Sequence, residues 1–260
     1  MADRRAVGVA VVAFAAVATA PTAGLVSAGR YALATTAFAG VLWVTGGLPL
    51  PITALTIPVL LAGFGVVPDV GMAVAGFADP ILFLLLAGFV LAEALQKHGT
   101  DRRVAYHVLA AVGTSPRRIV FAVMVATAGL SMVISNSATT AMMVPIALGI
   151  ADRVITDPPD GEGTERADQP NFRLAMLLGV AYAASIGGVG TLIGTPPNAI
   201  VVSQLGERLG YTISFVDWLA IGVPFVLVGL PVTWYVVAVL VYPPHVEDAS
   251  VAREEARRYL

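Results

Sequence analysis

Ser131-Met132-Val133-Ile134-Ser135-Asn136-Ser137-Ala138-Thr139-Thr140 lies at the centre of residues 119–151, a stretch with no Lys, Arg, Asp or Glu. About 16 mostly apolar residues lead up to Ser135 and about 14 follow Ser137. Helical arms of that length reach roughly 20–25 Å, so they carry a Ser-Asn-Ser tip deep into a bilayer. Ser and Asn cap helix starts, and a second arm can begin at the tip. Non-helical backbone at such depth survives only inside protein or against a water-filled cavity. An ordinary capped turn between two helices belongs at the surface instead. The expectation is a re-entrant hairpin with a working tip.

A second interruption falls in residues 173–205, where the centre reads Ser185-Ile186-Gly187-Gly188-Val189-Gly190-Thr191-Leu192-Ile193-Gly194-Thr195-Pro196-Pro197-Asn198. Thr195 suits an N-cap and Pro196 a first helical position. One half-helix is therefore expected to end near Gly187 and another to start after Thr195, with unwound backbone between. A glycine-rich packing face would explain the glycines but not Pro196-Pro197. A phosphate-cradling loop would need a Lys-Ser or Lys-Thr after the glycines, and none follows.

Composition agrees with a membrane setting. Of 260 residues, 57% are hydrophobic and 12% charged, about half the charge of an ordinary soluble domain. Residues 31–68, 80–92 and 174–206 are also free of charge, and a spanning helix needs roughly 20 apolar residues. The fold class expected is an all-α polytopic membrane protein. A net charge of −2 gives no footprint for nucleic acid, and the absence of cysteine excludes disulfides and thiolate metal sites.

The chain divides as follows. Residues 1–30 hold a first transmembrane helix over 6–28, which its length and the spans after it separate from a signal peptide. Residues 31–118 hold scaffold helices at 31–48, 52–67 and from Asp79-Pro80 to about Gln96. They end in an amphipathic piece around Val104–Val112 that lies at the membrane surface. The hairpin 119–151, an acidic loop 152–172, the broken helix and outer loop 173–217, a last span 218–241 and a charged tail 242–260 complete it. With the N-terminus in the cytoplasm, 13 of the 15 Lys and Arg residues fall inside, and only Arg30 and Arg208 fall outside. That is the expected bias, and it requires 119–151 to enter and leave on one side.

Two broken elements at similar depth make a site. Half-helix N-termini suit an anion, and half-helix C-termini offer carbonyls to Na⁺. The side chains available are Ser131, Ser135, Asn136, Ser137, Thr195 and Asn198. No Lys or Arg is placed to hold the anion and no acid to carry a proton, which favours Na⁺ as the coupling ion. No further cofactor is implied.

At these residues the chain resembles the divalent anion:sodium symporter family of di- and tricarboxylate and sulfate transporters. Ser135-Asn136-Ser137 followed by Ala138-Thr139-Thr140 is similar to that family's first Ser-Asn-Thr hairpin motif, with Ser137 in place of the usual Thr. Gly187-Gly188…Gly194-Thr195-Pro196-Pro197-Asn198 is similar to its unwound fifth helix. The resemblance implies a Na⁺ site from Ser131, Ser135, Asn136 and the backbone near Gly194. It implies carboxylate contacts from Asn136, Ser137 and Thr195, with Ser135 and Asn198 as further substrate-binding candidates. It also implies a cell (plasma) membrane location, homodimerisation, and a second inverted repeat supplied by the rest of the chain or another subunit. Alternatives are an arsenite or other anion exporter of related architecture, or a non-transporting membrane assembly module. An enzyme would need an Asp pair, a Ser-His or Ser-Lys pair, or a His-Glu metal motif at membrane depth.

Other residues are assigned to structure. Glu93 and Lys97 have the i,i+4 spacing of a helix-surface pair. Asp217-Trp218 suits an interfacial anchor, and Met132, Met142 and Met143 suit hairpin packing. His98, His107 and His245 lack ligand spacing.

Overall fold

The computed structural model describes residues 3–21, 24–111, 115–156 and 169–244. The described residues are helical and contain no strand. Among the described residues, three helical stretches are long and apolar enough to span a membrane: Val70–Lys97, Pro170–Val189 and Phe215–Val241. The chain separates into two units, Met1–Asp79 and Pro80–Leu260.

In the first unit, α1 (Arg4–Thr19) packs on α2 (Ser27–Thr45), followed by α3 (Leu50–Gly63) and the short α4 (Val70–Val74). Asp3 caps α1 by accepting from the Arg5 N–H at 2.9 Å. The first helix stops at Thr19, earlier than the 6–28 expected. Pro21 biases the residue before it away from helical geometry, and Ala20 is indeed extended, with ψ of 139°. Small residues bring α1 and α2 together: Ala6, Ala10, Ala34 and Ala39 are all buried. Gly46 ends α2 in the left-handed region at φ 63°.

The second unit carries both interruptions. Its helices are α5 (Pro80–Lys97), α6 (Thr100–Ala111), α7 (Pro116–Ser131), α8 (Asn136–Thr156), α9 (Gln169–Val189), α10 (Pro196–Leu209) and α11 (Phe215–Tyr235), the last continuing as a π-helix over Val236–Val241. The core is the seam between α7 and α9, where Val120, Val123, Met124, Met176 and Val180 are fully buried. Gly179, Ala183 and Gly187 recur every four residues along one face of α9, a small-residue stripe of the kind that lets membrane helices approach. A Cβ on Gly179 would lie 3.1 Å from Met124 Cγ, and one on Gly187 would overlap the Ala128 carbonyl.

α9 ends at Val189, two residues past Gly187 and close to the end expected, and Gly187 is also a packing glycine inside the helix. Both arms of the expected hairpin, α7 and α8, pack against α9. The 152–172 loop is shorter than expected, since α8 runs to Thr156 and α9 starts at Gln169. Arg173 Nε donates to Asp152 Oδ1 at 2.8 Å across those helix ends. The centre of that loop and the tail beyond 244 lie outside the described residues. So do His245 and the end of the amphipathic piece; α6 covers Thr100–Ala111 of it. Glu93 and Lys97 form no ion pair. An exposed pair of that kind contributes only a few tenths of a kcal/mol, too little to hold two long side chains together.

Candidate functional site

The two interruptions meet. α7 stops at Ser131, four residues turn, and α8 starts at Asn136. Ile134 N–H donates to the Leu130 carbonyl at 2.8 Å and Met132 N–H to Ala128 at 3.1 Å, so the last turn of α7 closes on itself. The Ser135 carbonyl accepts from Thr139 N–H at 2.9 Å, which makes Ser135 the residue entering α8. In the second break α9 stops at Val189 and α10 starts at Pro196. Thr195 there is extended, with φ −148° and ψ 139°, and its hydroxyl makes no capping bond.

Ser131 stands at the junction. It is fully buried, and its Oγ lies 2.8 Å from Asn136 Oδ1 and 2.7 Å from the Ala184 carbonyl oxygen. Gly188 faces Asn136 so closely that any Cβ would overlap its Oδ1. A Cβ on Gly194 would sit 2.6 Å from the Gly188 carbonyl oxygen and 3.0 Å from that of Ser131. Ser131, Asn136, Gly188 and Gly194 thus form one cluster rich in oxygen atoms. Three of the four expected cation ligands, Ser131, Asn136 and Gly194, fall within it.

Thr191 and Asn198 hold the second break in shape. The Thr191 hydroxyl donates to the Met132 carbonyl and accepts from Gly194 N–H at 3.0 Å. One buried side chain therefore ties the two interruptions together. Asn198 Nδ2 donates to the carbonyls of Gly188 and Thr191, both at 2.8 Å. Both of its amide protons are thereby used, and a carboxylate needs donors. Pro196 and Pro197 lack N–H groups, so α10 begins with two fewer free donors than an ordinary helix. The N-terminal anion cradle expected there is correspondingly poorer.

The remaining candidates lie at the rim. Ser137 is exposed, while Ser135, Asn136 and Thr195 are half-buried. Ser135 Oγ accepts weakly from Ala138 N–H at 3.4 Å. The Asn136 amide nitrogen and the hydroxyls of Ser137 and Thr195 make no hydrogen bond among the described residues. These are free donors grouped around the first break and the start of α10.

α11 braces the second break. Trp218 Nε1 donates to the Val189 carbonyl at 2.9 Å, and a Cβ on Gly222 would lie 2.7 Å from the carbonyl oxygens of both Val189 and Gly190. The local sequence assigns Trp218 to the membrane boundary, but its indole is spent on the end of α9. Nothing in the local sequence of α11 points to that partner, 29 residues away. Thr191 does carry a signal in the sequence: it is the one hydroxyl within the glycine run.

A family model for citrate transporters, CitMHS, matches residues 40–258. The chain belongs to the citrate transporter family. Relatives of this citrate transporter family member are named as transporters. The sodium-dependent dicarboxylate transporter SdcS of Staphylococcus aureus (strain USA300) is 36% identical over 208 residues, covering 79% of this chain and 39% of that protein. An uncharacterized transporter of Haemophilus influenzae (strain Rd) is 41% identical over 199 residues, covering 76% of this chain and 40% of its own length. The chain thus spans about two-fifths of the curated relatives it matches. The family bears out the resemblance drawn from the hairpin and broken-helix motifs. It places the chain among multi-pass membrane transport proteins rather than enzymes.

Proposed function

We propose that this citrate transporter family member forms the first of two inverted repeats of a symporter. The symporter would move a di- or tricarboxylate, or a similar divalent anion, together with Na⁺. The observation that carries the reading is the position of the Ser131 hydroxyl between two acceptors, Asn136 Oδ1 at 2.8 Å and the Ala184 carbonyl at 2.7 Å. A hydroxyl has one proton to give. Whichever oxygen does not receive it is left facing another oxygen in a buried place, an arrangement that a bound cation relieves. The carbonyls of Ser131 and Gly188 add the hard oxygen donors that Na⁺ takes at broken helices. The Asn136 amide then serves both ions, with its oxygen toward Na⁺ and its free nitrogen toward a carboxylate. Ser137 and Thr195 add hydroxyl donors, and Ser135 lies beside them. Asn198 acts through the carbonyls it holds.

The names of the relatives support carboxylate as cargo and Na⁺ as partner. Their greater length leaves room for a second hairpin. A cell-membrane location with the N-terminus inside, and pairing into a homodimer, follow from the same reading. The test is Na⁺-dependent uptake of radiolabelled succinate or citrate by the full-length transporter in proteoliposomes. Asn136→Ala is expected to abolish it, and uptake that continues unchanged would overturn the site.

A further inference from the structure

The α5–α6 turn carries a basic cleft that the site does not explain. It has a volume of about 400 Å³ and is lined by Lys97, His98, Asp101 and Arg102, with Gln96 at one end and Met142 of α8 as its floor. Cavities that hold small ligands run from roughly 300 to 1,000 Å³. Lys97, His98 and Arg102 are exposed, whereas Asp101 is only 6% exposed and its Oδ1 accepts from the Arg102 N–H at 2.8 Å. The cleft therefore shows mainly its cations to solvent.

A second cleft, of about 360 Å³, adjoins it. That one is lined by Gln96, Glu93, Phe89 and Ala92 of α5 and by Ser135 and Ala138 of the hairpin tip. Gln96 borders both. Their floors, Met142 and Ala138, are four residues apart on α8, one helical turn or about 6 Å. Gln96 thus lies between the basic turn and the cleft that reaches Ser135. The carboxylate of Glu93 gives that second cleft the wrong sign for a free dianion and the right sign for Na⁺. The basic cleft has the opposite preference.

We propose that the cleft formed by Lys97, His98 and Arg102 is a holding site for the transported anion, about one turn of α8 from the cleft that reaches the hairpin tip. This rests on the carboxylate symport reading above. Charges of one sign lining a cleft raise the local concentration of the opposite ion, and salt weakens the effect.

The test is radiolabelled succinate flux by the full-length transporter in proteoliposomes, measured from each face of the membrane at fixed Na⁺. Lys97→Gln with Arg102→Gln is expected to raise the apparent KM about threefold or more, with kcat kept, and only from the face that bears α6. Lys97→Arg with Arg102→Lys is expected to keep the wild-type KM. Added choline chloride is expected to raise the wild-type KM from that face and to leave the double Gln variant unmoved. The wild-type salt series stands as a test even if the variant does not fold. A wild-type KM indifferent to salt, or a double Gln variant with unaltered KM from both faces, would overturn the holding site while leaving the symport reading intact. Loss of activity in the double Gln variant that appears in phosphatidylglycerol vesicles and not in phosphatidylcholine vesicles would also overturn it, in favour of a lipid headgroup. Absence of any succinate flux in the wild type would instead overturn the symport reading.

Discussion

The side-chain oxygen of Asn136 rests against the bare Cα of Gly188, where no Cβ can be accommodated. The first broken element is thereby seated on the second, and the amide that would serve both ions is positioned by a glycine on another helix. Gly188→Ala should push the Asn136 amide out of the oxygen cluster. The expected result is loss of the Na⁺-dependent rise in thermal stability of the purified transporter, with half-saturation by Na⁺ in uptake shifted about tenfold or more. A Gly188→Ala protein that keeps its Na⁺ response would show that Asn136 does not depend on this contact.

Thr191 predicts a hydroxyl-specific effect. Thr191→Val keeps the shape but leaves the Met132 carbonyl and the Gly194 N–H without this partner. Stranding a buried polar group costs about 1–3 kcal/mol. Thermal or denaturant unfolding in detergent should show that loss, and Thr191→Ser should recover most of it. Equal stability in the Val and Ser variants would mean that the hydroxyl does not tie the two breaks together.

The α7–α9 seam separates packing glycines from neutral ones. Gly187→Ala would drive a methyl into the Ala128 backbone, whereas a Cβ on Gly129 would meet nothing within 4 Å. Overpacking of this kind costs about 1–3 kcal/mol, while Gly→Ala in an unobstructed helix position is neutral or stabilising. Melting of the two variants should therefore move in opposite directions, or fall for Gly187→Ala alone. A Gly187→Ala protein as stable as Gly129→Ala would contradict the close approach.

Trp218→Phe removes the donor to Val189 and keeps the ring. The expected stability loss is about 1 kcal/mol, that of one hydrogen bond. Because Val189 ends α9 next to Gly188, half-saturation by Na⁺ should rise several-fold while the substrate KM at saturating Na⁺ stays near the wild-type value. Parallel changes in both constants would point to general loosening instead.

The sequence by itself determined the fold class, the two interruptions and the family. Each of these depends on local chemistry: long uncharged runs, Ser and Asn at a helix start, and prolines that cannot continue a helix. It also placed the breaks well, at Ser135-Asn136 and at Thr195-Pro196. The tertiary structure decided which of those residues meet and what each one is for. Gly187 lies near the end of α9, as it reads, but its packing role is hidden, because only the position of Ala128 on a neighbouring helix reveals the crowding. Asn198 reads as a donor for substrate, yet both its protons go to carbonyls of the unwound stretch. Trp218 reads as a boundary residue and Glu93 as half of a surface pair; the indole is bonded to α9, and the carboxylate lines a groove shared with α8. A single chain specifies where its backbone must bend from neighbours within a turn or two. A hydrogen bond across 29 residues, or a groove between two helices, exists only once the helices have packed.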